Sequence, residues 1–190
     1  MNIFTLDRCP RKSAQMMCDQ HIGKMAVEGL QCLVSALLKC GAPPDKAPTT
    51  KSGEPHKGGY HNHPVVFWTA ESHENFSWLK QHAEALCNEY KFRFGKTHAV
   101  ESQLSQLGGW CVWSHHIPII DECGEHNHEI IFERCFKQSQ GLNEDLLEWK
   151  DDIKAARAFY YRDKKGFATW TNGRGPPSWW LAKVDMFEDW

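Results

Sequence analysis

Apolar side chains recur at every third or fourth position between Met17 and Leu37, and this spacing predicts one long helix. Ser13 is the expected N-cap of that helix, and Gly41, followed by two prolines, is its expected end. The short apolar stretch at residues 3–6 is predicted to be extended and buried. The apolar positions that define the helix are Met17, Ile22, Met25, Ala26, Leu30, Leu33, Val34 and Leu37.

A second long helix is predicted to begin near Ser72 and to end at Gly95. Two shorter helices flank it. One covers residues 65–70 behind a proline, and the other covers residues 98–107 behind Thr97 as a cap. The apolar face of the long helix consists of Phe76, Leu79, Ala83, Leu86, Cys87 and Tyr90.

The remaining segments carry weaker patterns. Residues 41–59 are rich in Pro, Gly, Lys and Thr and are predicted to form a long mobile loop. Residues 110–142 read as an irregular insertion, in which the apolar run 130–132 fits either a strand or a helix. A further helix is predicted from Asn143 through Tyr160, and turn residues near the end of the chain lead into a last short helix.

These elements predict a mainly α protein, a single compact helical domain over residues 1–190 with long irregular loops. A chain of 190 residues with 41% hydrophobic residues is large enough for one packed core. No apolar run reaches the ~20 residues that cross a bilayer, and the first residues do not resemble a secretory signal. We therefore expect a cytoplasmic protein without a membrane partner, in which the 8 cysteines are mostly reduced thiols.

The net charge of −2 does not favour nucleic-acid binding by the protein as a whole, because it provides no overall field that attracts nucleic acid. Any DNA-binding surface must therefore be a local patch. The composition is also unusual in its 11 histidines and 9 tryptophans. Histidine and cysteine side chains can ligate metals, and aromatic rings can fill a core or stack on bases.

The first helix carries one polar stripe along its length. His21, Lys24, Glu28, Gln31 and Ser35 share a face, since their spacing follows the helical repeat. Such a stripe is commonly an ordinary solvated face. The alternative is one wall of a polar cleft, in which Glu28 acts as an acid or base while His21 and Lys24 position an anionic substrate.

Two histidine-containing patterns are candidate binding sites. His61 and His63 flank Asn62 between a glycine-rich loop and a helix start, where they could ligate a metal, contact phosphates or bases, or simply cap the helix. In the irregular insertion, the spacing of four residues resembles that of a zinc site and makes zinc a candidate structural ion. Those residues are Cys123, His126, His128 and Cys135.

Common nucleophile and nucleotide-binding motifs are missing: the sequence has no G-x-S-x-G elbow, no P-loop and no G-x-G-x-x-G. One further nucleophile is the chain's own α-amine. Its ordinary pKa of ~7.7–8.0 leaves part of it neutral near pH 7, unlike a lysine. An amine at the start of a buried segment can form a Schiff base with a sugar carbon.

Three motifs, in the same order, give the chain a family resemblance. The tripeptide D-Q-H at residues 19–21 is followed on the same helix by Glu28, G-Y-H-N-H-P occupies residues 59–64, and P-S-W-W occupies residues 177–180. With these motifs the chain resembles the pyrimidine-dimer DNA glycosylase/AP lyase of T-even phages and its bacterial relatives. The opening Met-Asn-Ile-Phe together with Asn-His-Pro is also similar to tailed-phage proteins, which implies the cytoplasm of an infected host cell.

The resemblance implies a compact helical domain whose N-terminus lies between helices, and a DNA substrate. The implied chemistry is attack of the α-amine on C1′ of a damaged nucleotide, after which Glu28 assists β-elimination without any cofactor. Because Asn2 normally retains the initiator methionine, the amine would be that of Met1. The remaining implied roles are those of a catalytic pair, His21 and Lys24, and of a DNA-binding set, Asn2, Lys57, His61, Asn62 and His63.

Two other functions remain open at this point. A metal-dependent enzyme acting on a modified base or nucleotide would draw its ligands from His61, His63, His21 and Glu28. A non-catalytic phage protein would use the residues around Cys123 only as a structural zinc site. The sequence gives no oligomeric state.

Overall fold

Two long antiparallel helices form the centre of the computed structural model, which describes residues 2–107, 116–117, 130–135 and 145–183. These are α2 (Asp19–Lys39) and α4 (His73–Phe94). A β-carbon on Gly29 of α2 would lie 3.1 Å from the Cβ of Ala83, and one on Gly23 would lie 3.3 Å from the ring of Tyr90. The two glycines therefore allow the helices to approach closely.

Shorter helices pack around this pair. They are α1 (Pro10–Met16), α3 (Pro64–Glu71), α5 (Glu101–Gln106), α6 (Asp152–Lys164) and α7 (Ser178–Leu181), with 3₁₀ turns at Pro44–Lys46 and Asp145–Leu147. Within the described ranges, β structure is confined to one isolated bridge between Thr49 and Pro55. The predicted mainly α fold is confirmed.

The predicted boundaries of α4 are correct, because both ends carry strong local signals. The Ser72 hydroxyl accepts a hydrogen bond from the Asn75 amide, and Gly95 ends the helix in the left-handed conformation at φ 65°. The helix predicted behind the proline is α3, for which His63 is the N-cap. The short last helix is α7, and its Trp179 is buried in the core.

The first predicted helix is wrong in one respect, since it is broken between α1 and α2. Met17 and Cys18 are extended there, and the buried Arg93 guanidinium occupies the break. Arg93 donates hydrogen bonds to the carbonyl oxygens of Gln15 and Met17, each at 2.9 Å. These bonds satisfy main-chain groups that the interrupted helix leaves open.

Ser13 is not an N-cap. It lies inside α1, where its hydroxyl accepts a hydrogen bond from the Leu6 amide at 3.0 Å and donates to the Phe4 carbonyl at 3.3 Å. Residues 3–6 are buried as predicted, but Phe4 has a φ of 45° and is not extended. Ser13 therefore fixes the path of the first residues instead of starting a helix.

Two other predicted helices begin later than expected. The helix predicted at residues 98–107 begins at Glu101, because the His98 ring accepts the Val100 amide and forms a turn first. The helix predicted from Asn143 begins at Asp152, where the Asp151 carboxylate accepts the amides of residues 153 and 154, each at 3.0 Å. Asn143 itself lies outside the described residues.

The loops partly match the predictions. Residues 130–132 form neither strand nor helix, and most of the 110–142 insertion lies outside the described residues. The 41–59 loop contains a 3₁₀ turn, and its Thr49 amide donates to the side chain of Gln106 at 2.7 Å. Its mobility stays a prediction, as does the single domain over 1–190. No helix in the described part of the chain has the length and hydropathy to cross a membrane.

Candidate active site

Glu28 lies at the middle of the polar face of α2 and contacts the start of the chain. Its Oε2 accepts a hydrogen bond of 3.2 Å from the main-chain nitrogen of Asn2. Its Oε1 lies 3.7 Å from Nζ of Lys24, one turn earlier on the same helix. The Glu28 side chain is only 13% exposed, so both of its oxygens are held in a largely enclosed place.

The side chain of Asn2 holds the chain in this position. Its Oδ1 accepts a hydrogen bond of 2.8 Å from the Phe4 amide, and its Nδ2 donates to the Cys135 carbonyl at 2.7 Å. The first bond closes a tight local turn, and Phe4 takes the left-handed conformation within it. Asn2 is therefore a positioning residue that directs its own main-chain nitrogen at the carboxylate.

A cavity of about 120 Å³ opens beside this contact. One wall is the polar face of α2, and the opposite wall is the last turns of α6. The polar cleft that was the alternative interpretation of the stripe is therefore present next to Glu28. The lining residues are Asn2, Phe4, His21, Lys24, Met25, Glu28, Cys135, Phe159, Asp163 and Lys164.

His21 lines the cavity, but its surroundings do not suit the predicted contact with an anionic substrate. It is 5% exposed and packs between the rings of Phe4 and Tyr160, at centroid distances of 5.2 and 5.4 Å. Burial, followed by the positive charges of Lys164 and Lys24, lowers the pKa of His21 to about 4. A neutral imidazole has no positive charge that would attract a phosphate group. Its Nδ1 is buried with no hydrogen-bond partner among the described residues, so it can bond to a substrate atom.

Lys164 is the cation that sequence reasoning missed. It lies at the end of α6, forms an ion pair with Asp163, and is 13% exposed. Its Nζ is 5.5 Å from the centre of the Phe4 ring and 5.6 Å from that of Phe167. The predicted helix stopped at Tyr160, and no motif marks residue 164. The packing of α6 against Phe4 brings this amine to the cavity that Glu28 also lines.

The cysteine thiols beside the cavity are poor nucleophiles. Burial, with a smaller effect from Glu133, raises the pKa of Cys135 to about 11. Burial and the charge of Glu28 raise the pKa of Cys32 to about 12. Both side chains are therefore neutral thiols at pH 7. Amines are therefore better nucleophiles than these two thiols beside the cavity.

The other predicted DNA-binding residues lie in a loop along α2, outside the cavity lining. The Ser35 hydroxyl donates to the Gly59 carbonyl at 2.9 Å and accepts the Gly59 amide at 2.8 Å. Lys57, His61 and Asn62 are exposed in this loop. His63 is half-buried and its Nδ1 accepts the Val65 amide at 3.2 Å, which is the capping role that had been one alternative.

The predicted metal sites receive no support from the described residues. No three His, Cys, Asp or Glu side chains in the ranges given above form a group that could hold a metal. The set His61, His63, His21 and Glu28 therefore does not come together as ligands. Cys123, His126 and His128 lie outside the described residues, and Cys135 lines the cavity beside Glu28.

Comparison with known proteins identifies the family. No curated protein and no solved structure matches the chain. The family model described as pyrimidine dimer DNA glycosylase matches residues 1–102, which is more than half of the 190 residues. The match covers Asn2, Glu28 and the loop beside α2, whereas Lys164 lies beyond it. The chain therefore belongs to the pyrimidine dimer DNA glycosylase family.

Proposed function

We propose that the protein is a pyrimidine-dimer DNA glycosylase/AP lyase in which the N-terminal amine is the nucleophile and Glu28 is the acid and base. One observation supports this most strongly. The main-chain nitrogen of residue 2 lies 3.2 Å from the Glu28 carboxylate, beside a cavity of about 120 Å³. The start of the chain and a largely buried carboxylate thus meet where a sugar can approach them.

The amine that we propose is that of Met1. In the covalent structure only the α-carbon and carbonyl carbon of Met1 separate its amine from the Asn2 nitrogen, and that nitrogen bonds to Glu28. Removal of Met1 would make the Asn2 nitrogen itself the amine, at the distance given above. Both chain forms therefore supply a nucleophile near the same carboxylate, and mass spectrometry distinguishes them.

The first chemical step forms a bond from the neutral amine to C1′ and breaks the bond from C1′ to the base. The base leaves with the bonding electrons and takes up a proton from water, while the Glu28 carboxylate removes a proton from the new ammonium nitrogen. A proton from Glu28 to O4′ then opens the sugar ring and leaves a protonated Schiff base. The Glu28 carboxylate next removes a proton from C2′, the C3′–O3′ bond breaks, and the strand is nicked. Glycosylases of this family need no cofactor.

The surrounding residues bind and orient the substrate in this proposal. Lys24 and Lys164 carry positive charge at the two walls and attract the phosphates that flank the damaged nucleotide. The Nδ1 of His21 bonds to an oxygen of the opened sugar. Lys57, His61, Asn62 and His63 contact the DNA backbone further along α2. The damaged nucleotide leaves the base stack to reach the cavity, which costs a few kcal/mol that a lesion lowers.

The test is trapping of the Schiff base with borohydride. Duplexes with a pyrimidine dimer or an abasic site should each give a covalent adduct, and a peptide map should place it on Met1 or on Asn2. Selective acetylation of the α-amine near pH 7 should abolish the adduct, because lysine amines stay protonated and unmodified there. An adduct on a lysine, or none with either duplex, would contradict the proposed mechanism. A cytoplasmic location stays a prediction.

A further inference from the structure

We propose that Tyr60 stacks on a nucleobase beside the nucleotide that enters the cavity. The inference rests on the proposed function, because it takes duplex DNA with a displaced nucleotide as the ligand. Tyr60 is 60% exposed and is one of the most exposed large apolar side chains in the described ranges. Its neighbours Lys57, His61 and Asn62 are also exposed, so the ring lies among side chains suited to phosphates.

The main chain at Tyr60 is held in an unfavourable conformation. Its φ is 56°, in the left-handed region that disfavours a bulky side chain. Among the described residues, three other non-glycine residues have a positive φ, and one of them is Phe4 at the cavity. Unfavourable conformations of this kind concentrate at functional sites. The conformation at Tyr60 turns an aromatic ring towards solvent instead of towards the core.

The loop around Tyr60 is fastened tightly to α2. A β-carbon on Gly58 would lie 2.2 Å from the Ser35 hydroxyl, so only glycine fits there, and both main-chain groups of Gly59 bond to that hydroxyl. On the other side, the Tyr60 carbonyl accepts the His63 amide at 2.8 Å. The ring is therefore presented from a rigid support, which lowers the entropy lost on binding.

The position along α2 suits a neighbouring base. Ser35 follows Glu28 by two helical turns, a rise of roughly 10 Å. Stacked bases are separated by about 3.4 Å along a strand. Tyr60 is thus within a few nucleotides of the cavity, where removal of one nucleotide from the stack exposes the face of the next base.

Two other exposed aromatic rings already contact a cationic side chain. Phe67 is covered by the Lys39 amine at 4.0 Å, and Phe92 by the Arg174 guanidinium at 4.5 Å. For Tyr60, no ring or cation contact is present within the part of the chain that the structure describes. Stacking of a base on an aromatic side chain is worth about a 5- to 140-fold change in affinity. That contribution offsets part of the penalty for disrupting the base stack.

The experiment compares Tyr60→Ala, Tyr60→Phe and Tyr60→Gly with the wild type on a dimer-containing duplex with 2-aminopurine next to the lesion. We expect Tyr60→Ala and Tyr60→Gly to weaken binding about 5- to 140-fold, and the affinity of Tyr60→Phe to remain within about twofold of the wild type. The 2-aminopurine should be quenched by stacking in the wild type and in the Phe variant, and brighter in the other two. Phe67→Ala serves as the matched control on another exposed ring.

The Gly variant separates stacking from folding. Glycine accepts the positive φ, so Tyr60→Gly should melt at or above the temperature of the wild type while binding remains weak. Ala and Gly variants that bind and quench as the wild type does would overturn the role of Tyr60. Failure of the proposed chemistry is a separate result, since the wild type would then quench 2-aminopurine and yet give no borohydride adduct.

Discussion

The main-chain nitrogen of Asn2 and the carboxylate of Glu28 are joined by a hydrogen bond of 3.2 Å, although they lie 26 residues apart in the chain. The bond joins the first described residue to the polar face of the helix that forms one cavity wall. It makes the position of the N-terminus depend on the side chain of Glu28.

Glu28→Gln should reduce nicking of an abasic duplex by about 10²- to 10⁴-fold, because an amide cannot transfer the protons of ring opening and elimination. Gel assays of strand cleavage measure this loss. The matched control is Glu84→Gln, since Glu84 forms an equivalent pair with Lys80 one turn away on α4. Equal nicking by the wild type and Glu28→Gln would remove Glu28 from the chemistry.

Lys164→Ala should weaken binding of an abasic duplex several-fold, because the variant loses one of the two cationic walls of the cavity. In binding titrations the loss should shrink as the salt concentration rises from about 50 to about 200 mM. Lys165→Ala is the control, because Lys165 contacts the Tyr161 ring and does not line the cavity. Identical affinities for both variants would place the phosphates elsewhere.

Gly58→Ala should lower the free energy of unfolding by roughly 1–3 kcal/mol and weaken DNA binding, since its β-carbon would overlap the Ser35 hydroxyl. Gly53→Ala is an informative control. Its φ of 85° is also left-handed, but nothing lies within 4 Å of an added β-carbon. Denaturant titrations should therefore show a smaller loss for Gly53→Ala, with unchanged DNA binding.

Arg93→Lys should destabilise the fold by about 3–5 kcal/mol, because a lysine cannot replace the planar set of bonds in a fully buried place. Arg93 bonds to Glu89 at 2.8 Å and to Asp19 at 2.9 Å besides the two carbonyl groups at the helix break. Arg162→Lys changes the more exposed ion pair between Arg162 and Asp145. This variant should lower the free energy of unfolding by less than about 1 kcal/mol. Comparable losses in urea unfolding would contradict this account.

The stability of the protein should fall as the pH drops below about 6.5, which is the ordinary pKa of histidine. Burial lowers the pKa of both His21 and His82 to about 4. Between these two pH values the unfolded chain binds protons that the folded chain does not, so acid favours unfolding. Each residue should contribute a loss of about 2 kcal/mol at pH 5 relative to pH 8. Unfolding curves of His21→Phe should show a weaker pH dependence.

The sequence predicted those parts of the fold that depend on neighbouring residues. The ends of α4 follow from Ser72 and Gly95, and the shared face of α2 follows from helical spacing. The break between α1 and α2 could not be predicted, because Arg93 that stabilises it comes from a distant helix. The start of α6 at Asp152 depends on Asp151, whose side chain caps the helix. From the sequence alone, earlier residues were equally good candidates for the cap.

The candidate site was also predicted only in part from the sequence. Glu28, Lys24 and Asn2 were found from a helical stripe and a resemblance, and the structure places all three at the cavity. Lys164 and Asp163 were missed because their place at the cavity depends on how α6 packs against Phe4, which no local pattern encodes. The neutral state of His21 was also missed, since it follows from burial between aromatic rings.

The two walls of the cavity come from opposite ends of the chain, Glu28 from α2 and Lys164 from α6. During synthesis the start of the chain therefore emerges from the ribosome long before the α6 wall of the cavity is made. A nascent or prematurely terminated polypeptide has the amine and the carboxylate but lacks the enclosure. The cavity is therefore complete only after α6 has been synthesised and has packed against the start of the chain.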